Sequence, residues 1–133
     1  TDDNAYVRRA TAWSLANYDN QIVLEPLINA LKNDVAAVRL WSSSSLAEIG
    51  NVSLKNAQLA AAQLLISLKI DNEPGVRSNC IWSLCRLYEK LNNTFQESFV
   101  DECTKIALFD KEPSVMEEAK TALDSMGMQG FYN

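Results

Sequence analysis

The dipeptide Val-Arg occurs at Val7-Arg8, Val38-Arg39 and Val76-Arg77, and Val115-Met116 reads as a degraded fourth copy. The anchors stand 31, 38 and 39 residues apart. A repeat of this period constrains the fold more than any other feature. One such unit cannot bury its apolar face alone and must stack on its neighbours. Eight residues past each valine lies a leucine: Leu15, Leu46, Leu84 and Leu123. Eleven past lie Tyr18, Ile49, Leu87 and Met126. Four past lie the small residues Thr11, Ser42, Cys80 and Ala119, and seven past lie Ser14, Ser45, Ser83 and Ala122. Offsets of four, seven, eight and eleven trace one face of a helix.

This register accounts for the serine run Ser42-Ser43-Ser44-Ser45. Ser42 and Ser45 occupy positions that are small in every copy, so neighbouring helices can approach closely there. The carbonyl one turn back is expected to satisfy a buried serine hydroxyl. Ser44 falls on the outward side. The run is a packing feature and not a cluster of nucleophiles.

Asp3, Asp34, Asp71 and Asp110 precede the anchors and are expected to cap these helices. Pro74 and Pro113 lie in first turns, and Gly50 and Gly127, twelve past their anchors, fit helix stops. Second helices are expected over 21–32, 54–69 and 95–108. Each copy is then a helix pair, and stacked pairs make an α-solenoid. The expectation is an all-α domain spanning 1–133, with about seven helices as three pairs plus a last helix. The repeats run over approximately 2–32, 33–70, 71–109 and 110–133. An apolar fraction of 47% suits a globular chain.

The pattern of an aspartate, Val-Arg and a small-residue helix ending in Leu and Gly resembles HEAT repeats. "TAWSLANYDN" and "CIWSLCRLYE" are similar to the short HEAT-like repeats of phycobilisome (bilin) lyases, and "QIVLEPLINALKNDVAAVR" resembles the link between two of them. The longer second and third copies and Met116 depart from that short form. The resemblance implies a ladder in which Asp3, Asp34 and Asp71 with Arg8, Arg39 and Arg77 tie neighbouring repeats together. Met116 cannot join it, which suits a terminal copy.

The chain has no histidine, which removes Ser-His-Asp triads, Cys-His dyads and histidine-based metal sites. Its four glycines are scattered and form no phosphate loop. The whole net charge of −5 comes from residues 97–133, and residues 1–96 are balanced. An acidic end argues against nucleic acid and anionic lipid. The longest apolar run, 59–68, is too short for a membrane insertion. Three cysteines without metal-ligand spacing indicate a reducing, cytoplasmic setting. A start at Thr1 reads as a processed or excised piece.

These observations lead to a non-catalytic scaffold that binds another protein and carries no cofactor. The concave-face candidates are Glu25, Asn29, Lys32, Gln63, Asp101 and Lys105, with Gln21, Gln58 and Glu97 beside them. Trp13 and Trp82, six past their anchors, form a second candidate surface with Arg86, Arg9 and Asn17, since Trp and Arg are enriched at interface hot spots. Trp41, three past its anchor, reads as structural. The alternative, implied by the resemblance alone, is a bilin lyase subunit or relative that handles a tetrapyrrole for a phycobiliprotein client through a thiol of Cys80, Cys85 or Cys103. Self-association through an uncapped N-terminal end is a further expectation, and the terminal "MQGFYN" is left open between capping and docking.

Overall fold

The computed structural model describes Ala5, Arg8, Arg9 and residues 20–128, of which Asn20 and Gln21 are described in backbone alone. Six α-helices follow in order: α1 (Asn20–Asn33), α2 (Ala36–Gly50), α3 (Leu54–Ile70), α4 (Pro74–Leu87), α5 (Asn93–Phe109) and α6 (Pro113–Ser125). A 3-10 turn, Tyr88–Lys90, links α4 to α5. Ala5, Arg8 and Arg9 are also helical. Among the described residues there is no strand. The expected second helices stand within one or two residues of their expected bounds.

The helices form two layers. In the first, α2 packs on α4 and α4 on α6; in the second, α1 packs on α3 and α3 on α5. Between the layers α1 packs on α2, α2 on α3, α3 on α4 and α5 on α6. The core lies between the layers and follows the repeat register. Val38, Val76 and Val115 are buried, as are Leu46, Leu84 and Leu123. So are the small positions Ser42, Cys80 and Ala119. Of the eleventh-offset residues, Ile49 and Leu87 are buried, and Met126 packs against the core. Small residues in α3 (Ala57, Ala60 and Ala61) give the layers close contact.

Three of the four serines are buried, one more than the register predicts. Ser43 joins Ser42 and Ser45 because α2 is enclosed by neighbours on several sides. Ser43 donates to Leu40 O at 2.8 Å, the expected bond to the preceding turn. Ser83 donates to Ser43 O at 2.5 Å and Asn79 to Leu40 O at 2.9 Å, so side chains of α4 bond directly to carbonyls of α2. Such bonds need two helices that pass closely, which the small residues allow. Ser42 departs from the expectation: its buried Oγ has no partner among the described residues.

The caps also differ from the sequence reading. The repeat aspartates stand one or two residues before the N-caps, which are Val35, Glu73 and Glu112 and make no side-chain cap bond. Side-chain caps instead start the second helices. Ser53 accepts from Asn56 N at 3.1 Å and Asn92 from Phe95 N at 2.8 Å. Pro74 and Pro113 begin α4 and α6 as expected. Gly127, at φ +76°, closes α6 with Met128 N donating to Leu123 O and Gly127 N to Asp124 O, a Schellman arrangement. Gly50 is no such stop. It ends α2 inside the core, where a Cβ would stand 3.0 Å from a Leu87 methyl carbon and 3.2 Å from Ala60 Cβ.

Candidate functional site: a polar ladder and an apolar stripe

The aspartates that do not cap form the inter-repeat ladder. Arg8 Nε stands 2.7 Å from Asp34 Oδ2, Arg39 Nε 2.8 Å from Asp71 Oδ2, and Arg77 Nη2 3.0 Å from Asp110 Oδ1. Each arginine therefore reaches the aspartate of the following repeat. Arg39 and Arg77 also donate to the carbonyls of Asp34 and Asp71 in their own repeats, both at 2.9 Å. The carboxylates accept in turn from the backbone N–H groups of Val35, Glu73 and Glu112. Asp3 lies outside the described residues.

These pairs are mostly shielded from water, with side-chain exposure of 18% for Arg39 and 6% for Asp71. Burial opposes ionisation of Asp34. The hydrogen bonds from Arg8 and Val35 and the charges of Arg8 and Arg39 outweigh it and hold the carboxyl below its ordinary value. The Arg39 guanidinium is pushed the other way, first by its hydrogen bond to Asp71, against the opposing effect of burial. The ladder is structural chemistry: every described acid in it already faces a base.

Counting back from the ladder aspartates sets a common register for the second helices. Nine residues before them stand Glu25, Ala62 and Asp101; five before stand Asn29, Ile66 and Lys105. Two before stand Lys32, Lys69 and Leu108, and one before stand Asn33, Ile70 and Phe109. All of these residues are exposed. Five of the six expected concave-face residues therefore lie in shared rows of one outer face: Glu25, Asn29, Lys32, Asp101 and Lys105. Gln63 does not. It is buried and donates to Ser67 Oγ at 3.2 Å, one position off the exposed row. Gln58 is also structural, donating to Lys90 O at 2.6 Å and accepting from Asn92 N at 2.9 Å.

The sequence reading missed the middle of this face. Leu59, Ala62, Ile66 and Ile70 are exposed along α3 at spacings of three, four and four residues, a single stripe. Ile66 is 49% exposed and Ile70 75%. The signal was present: "LAAAQLLISLKI" is apolar on more sides than one buried face requires. Two grooves open beside the stripe, at successive repeat junctions. The first, about 590 Å³, is lined by Lys32, Arg39, Gln63, Ile70 and Asp71 among others. The second, about 480 Å³, has Lys69, Arg77, Glu102, Phe109 and Asp110 in the equivalent places.

On the opposite layer Trp82 is 43% exposed, and the Arg86 guanidinium lies 5.1 Å from its ring centroid. Arg86 also pairs with Glu48 at 3.3 Å across the repeat junction. Trp13 and Asn17 lie outside the described residues. Trp41, read as structural, is instead partly exposed, with the Arg9 guanidinium 5.9 Å from its ring.

The cysteines are core residues. Cys80 and Cys103 are fully buried and Cys85 is half-buried. Burial pushes all three thiols up, Cys85 to about 11. Among the described residues no group of acids and cysteines could hold a metal ion. No described helix is long and apolar enough to cross a membrane.

In comparisons with known proteins, the family described as HEAT repeats matches residues 1–85. None of the curated proteins compared matches the chain.

Proposed function

Because this chain belongs to the HEAT-repeat family, we propose that it is a non-catalytic scaffold that binds a partner protein through the outer face of its second helices. The exposed stripe of α3 carries this reading. Leu59, Ile66 and Ile70 leave aliphatic surface in water between α1 and α5, whose exposed faces mix the polar Glu25, Asn29, Lys32, Asp101 and Lys105 with the apolar Ile22, Leu108 and Phe109. Full burial of an exposed side chain of this size is worth about 1.5–3 kcal/mol, and Leu59 and Ile66, at 43% and 49% exposed, have roughly half of that still to gain, which makes the stripe a favourable anchor for a partner. Exposed apolar side chains set among charged ones are the ordinary anatomy of a protein interface. The absence of histidine from the sequence leaves no histidine-based triad, dyad or metal site to carry catalysis.

In this reading residues 1–133 act as one array in the cytoplasm, and the Trp82–Arg86 pair is a secondary contact. The bilin-lyase alternative, with its phycobiliprotein client, draws its support from the sequence resemblance alone. Cys80 and Cys103 are buried, which leaves the half-buried Cys85 as the one described thiol that a tetrapyrrole could reach. The expected self-association through the N-terminal end concerns residues outside the described ones.

The test is capture of partners with wild type, Ile66→Glu and Trp82→Ala protein side by side. Ile66 is exposed, so the glutamate should leave helicity and melting temperature unchanged. A protein held by wild type and Trp82→Ala but lost with Ile66→Glu supports the proposal. Capture that ignores Ile66→Glu contradicts it.

A further inference from the structure

The rows beside the stripe differ in charge from one end to the other. Glu25 and Asp101 stand on either side of Ala62, in its own row. At the C-terminal end of the face stand Lys32 and Lys69, with Lys105 in the row of Ile66. All five charged side chains are exposed. The charged groups of the face are therefore acidic beside the middle of the stripe and basic toward its end, where α5 also exposes Leu108 and Phe109.

The stripe runs along α3 and not across the layer. Its four residues span eleven positions, about 17 Å or three helical turns. An extended segment would gain little here, because a helix face offers no free backbone edge for pairing. A second helix laid along the stripe presents apolar side chains at the same spacing. Ala62 leaves a gap between the larger Leu59 and Ile66. A long basic side chain fits that gap: its methylenes lie on Leu59 and Ile66 while its head reaches Glu25 or Asp101. Lys105, about one turn further along, and Lys32 and Lys69, about two turns further, favour carboxylates.

Building on the scaffold reading above, we infer that the occupant of this face is an amphipathic helix of another protein, basic beside Ala62 and acidic toward Ile70. Its apolar side covers Leu59, Ile66 and Ile70. Its charges set the direction in which it lies.

Two fluorescein-labelled helical peptides of eighteen residues test this with the full chain by fluorescence anisotropy. Both carry leucines on one face. One has arginines flanking the middle and glutamates flanking the C-terminal end; the other has glutamates in both places. In one direction along α3 the first peptide matches the rows, and the second meets Glu25 and Asp101 with like charge in either direction. The matched peptide should bind at least tenfold tighter than the second. Glu25→Lys/Asp101→Lys should remove that preference, and Ile66→Glu should weaken all binding at least tenfold. Equal binding of both peptides, or no binding at all, overturns the inference. So does a concentration-dependent dimer in sedimentation that Ile66→Glu dissolves, because the occupant would then be a second copy. Ile66-dependent capture of a partner protein without a charge preference among the peptides would leave the scaffold standing and refute the helix. Capture indifferent to Ile66→Glu would refute both.

Discussion

Arg39→Ala is the substitution that the ladder predicts to be most damaging. Arg39 donates twice to the Asp71 carboxylate, at 2.8 and 3.1 Å, and once to Asp34 O at 2.9 Å. Its loss strands a carboxylate that is only 6% exposed. Glu73 N, at 3.0 Å, then remains as its hydrogen-bond donor, with the nearby Arg77 bonded to the Asp71 carbonyl instead. Breaking one side of a fully buried pair costs about 3–5 kcal/mol. Some solvent reaches the arginine, so we place the cost at the lower end, about 3 kcal/mol. Scaling the unfolding entropy to a chain of this length turns that into a fall of roughly 10 °C in Tm. Arg86→Ala is the control. Its pair with Glu48 is 3.3 Å long, and both side chains are well exposed, so it should cost at most about 1 kcal/mol. Urea and thermal unfolding followed by circular dichroism read both. Arg39→Ala/Asp71→Ala should cost less than the sum of the single changes, because the second change removes the stranded charge. An Arg39→Ala cost no larger than that of Arg86→Ala would refute the reasoning.

Two further predictions concern pH and thiols. The Asp34 carboxyl titrates below its ordinary value near 3.8 in the fold, so its contribution is full above about pH 4 and is lost as the pH falls through the depressed value; Asp34→Asn should flatten the acid limb of a Tm-against-pH curve, and an unchanged limb would contradict the pairing. The Cys85 thiol ionises near 9 when unfolded but only near 11 in the fold, where burial opposes its thiolate. Its contribution is intact below pH 9 and lost as the pH rises toward 11. Cys85→Ala should remove part of the alkaline fall in Tm, and a thiol reagent should modify Cys85 before Cys80 or Cys103.

The repeat made the core readable because burial and period coincide: Val38, Leu46, Val76 and Leu84 all fall where their offsets place them. The ladder was legible only through family resemblance, since its partners stand 26–33 residues apart. The aspartates were misread as caps because Asp before a helix fits a cap and a ladder equally well in one dimension. Gln63 was placed outside because unequal repeat lengths hide the register. Alignment on Asp34, Asp71 and Asp110 would have chosen Ala62 for that row. Ser43 escaped notice because its burial comes from α4, two helices later in the chain. The stripe of α3 was missed for a related reason. In a helix this rich in Leu, Ile and Ala, composition does not say which apolar side chains the neighbours cover.

The most direct test of the central claim is site-specific photo-crosslinking from position 66 on α3, with position 117 on α6 as the remote control. The scaffold account predicts that position 66 crosslinks one partner protein, that the crosslink disappears when Ile70→Glu is added, and that position 117 gives none. A partner crosslinked equally from position 117, or insensitive to Ile70→Glu, would contradict the claim that the second-helix stripe is the binding surface.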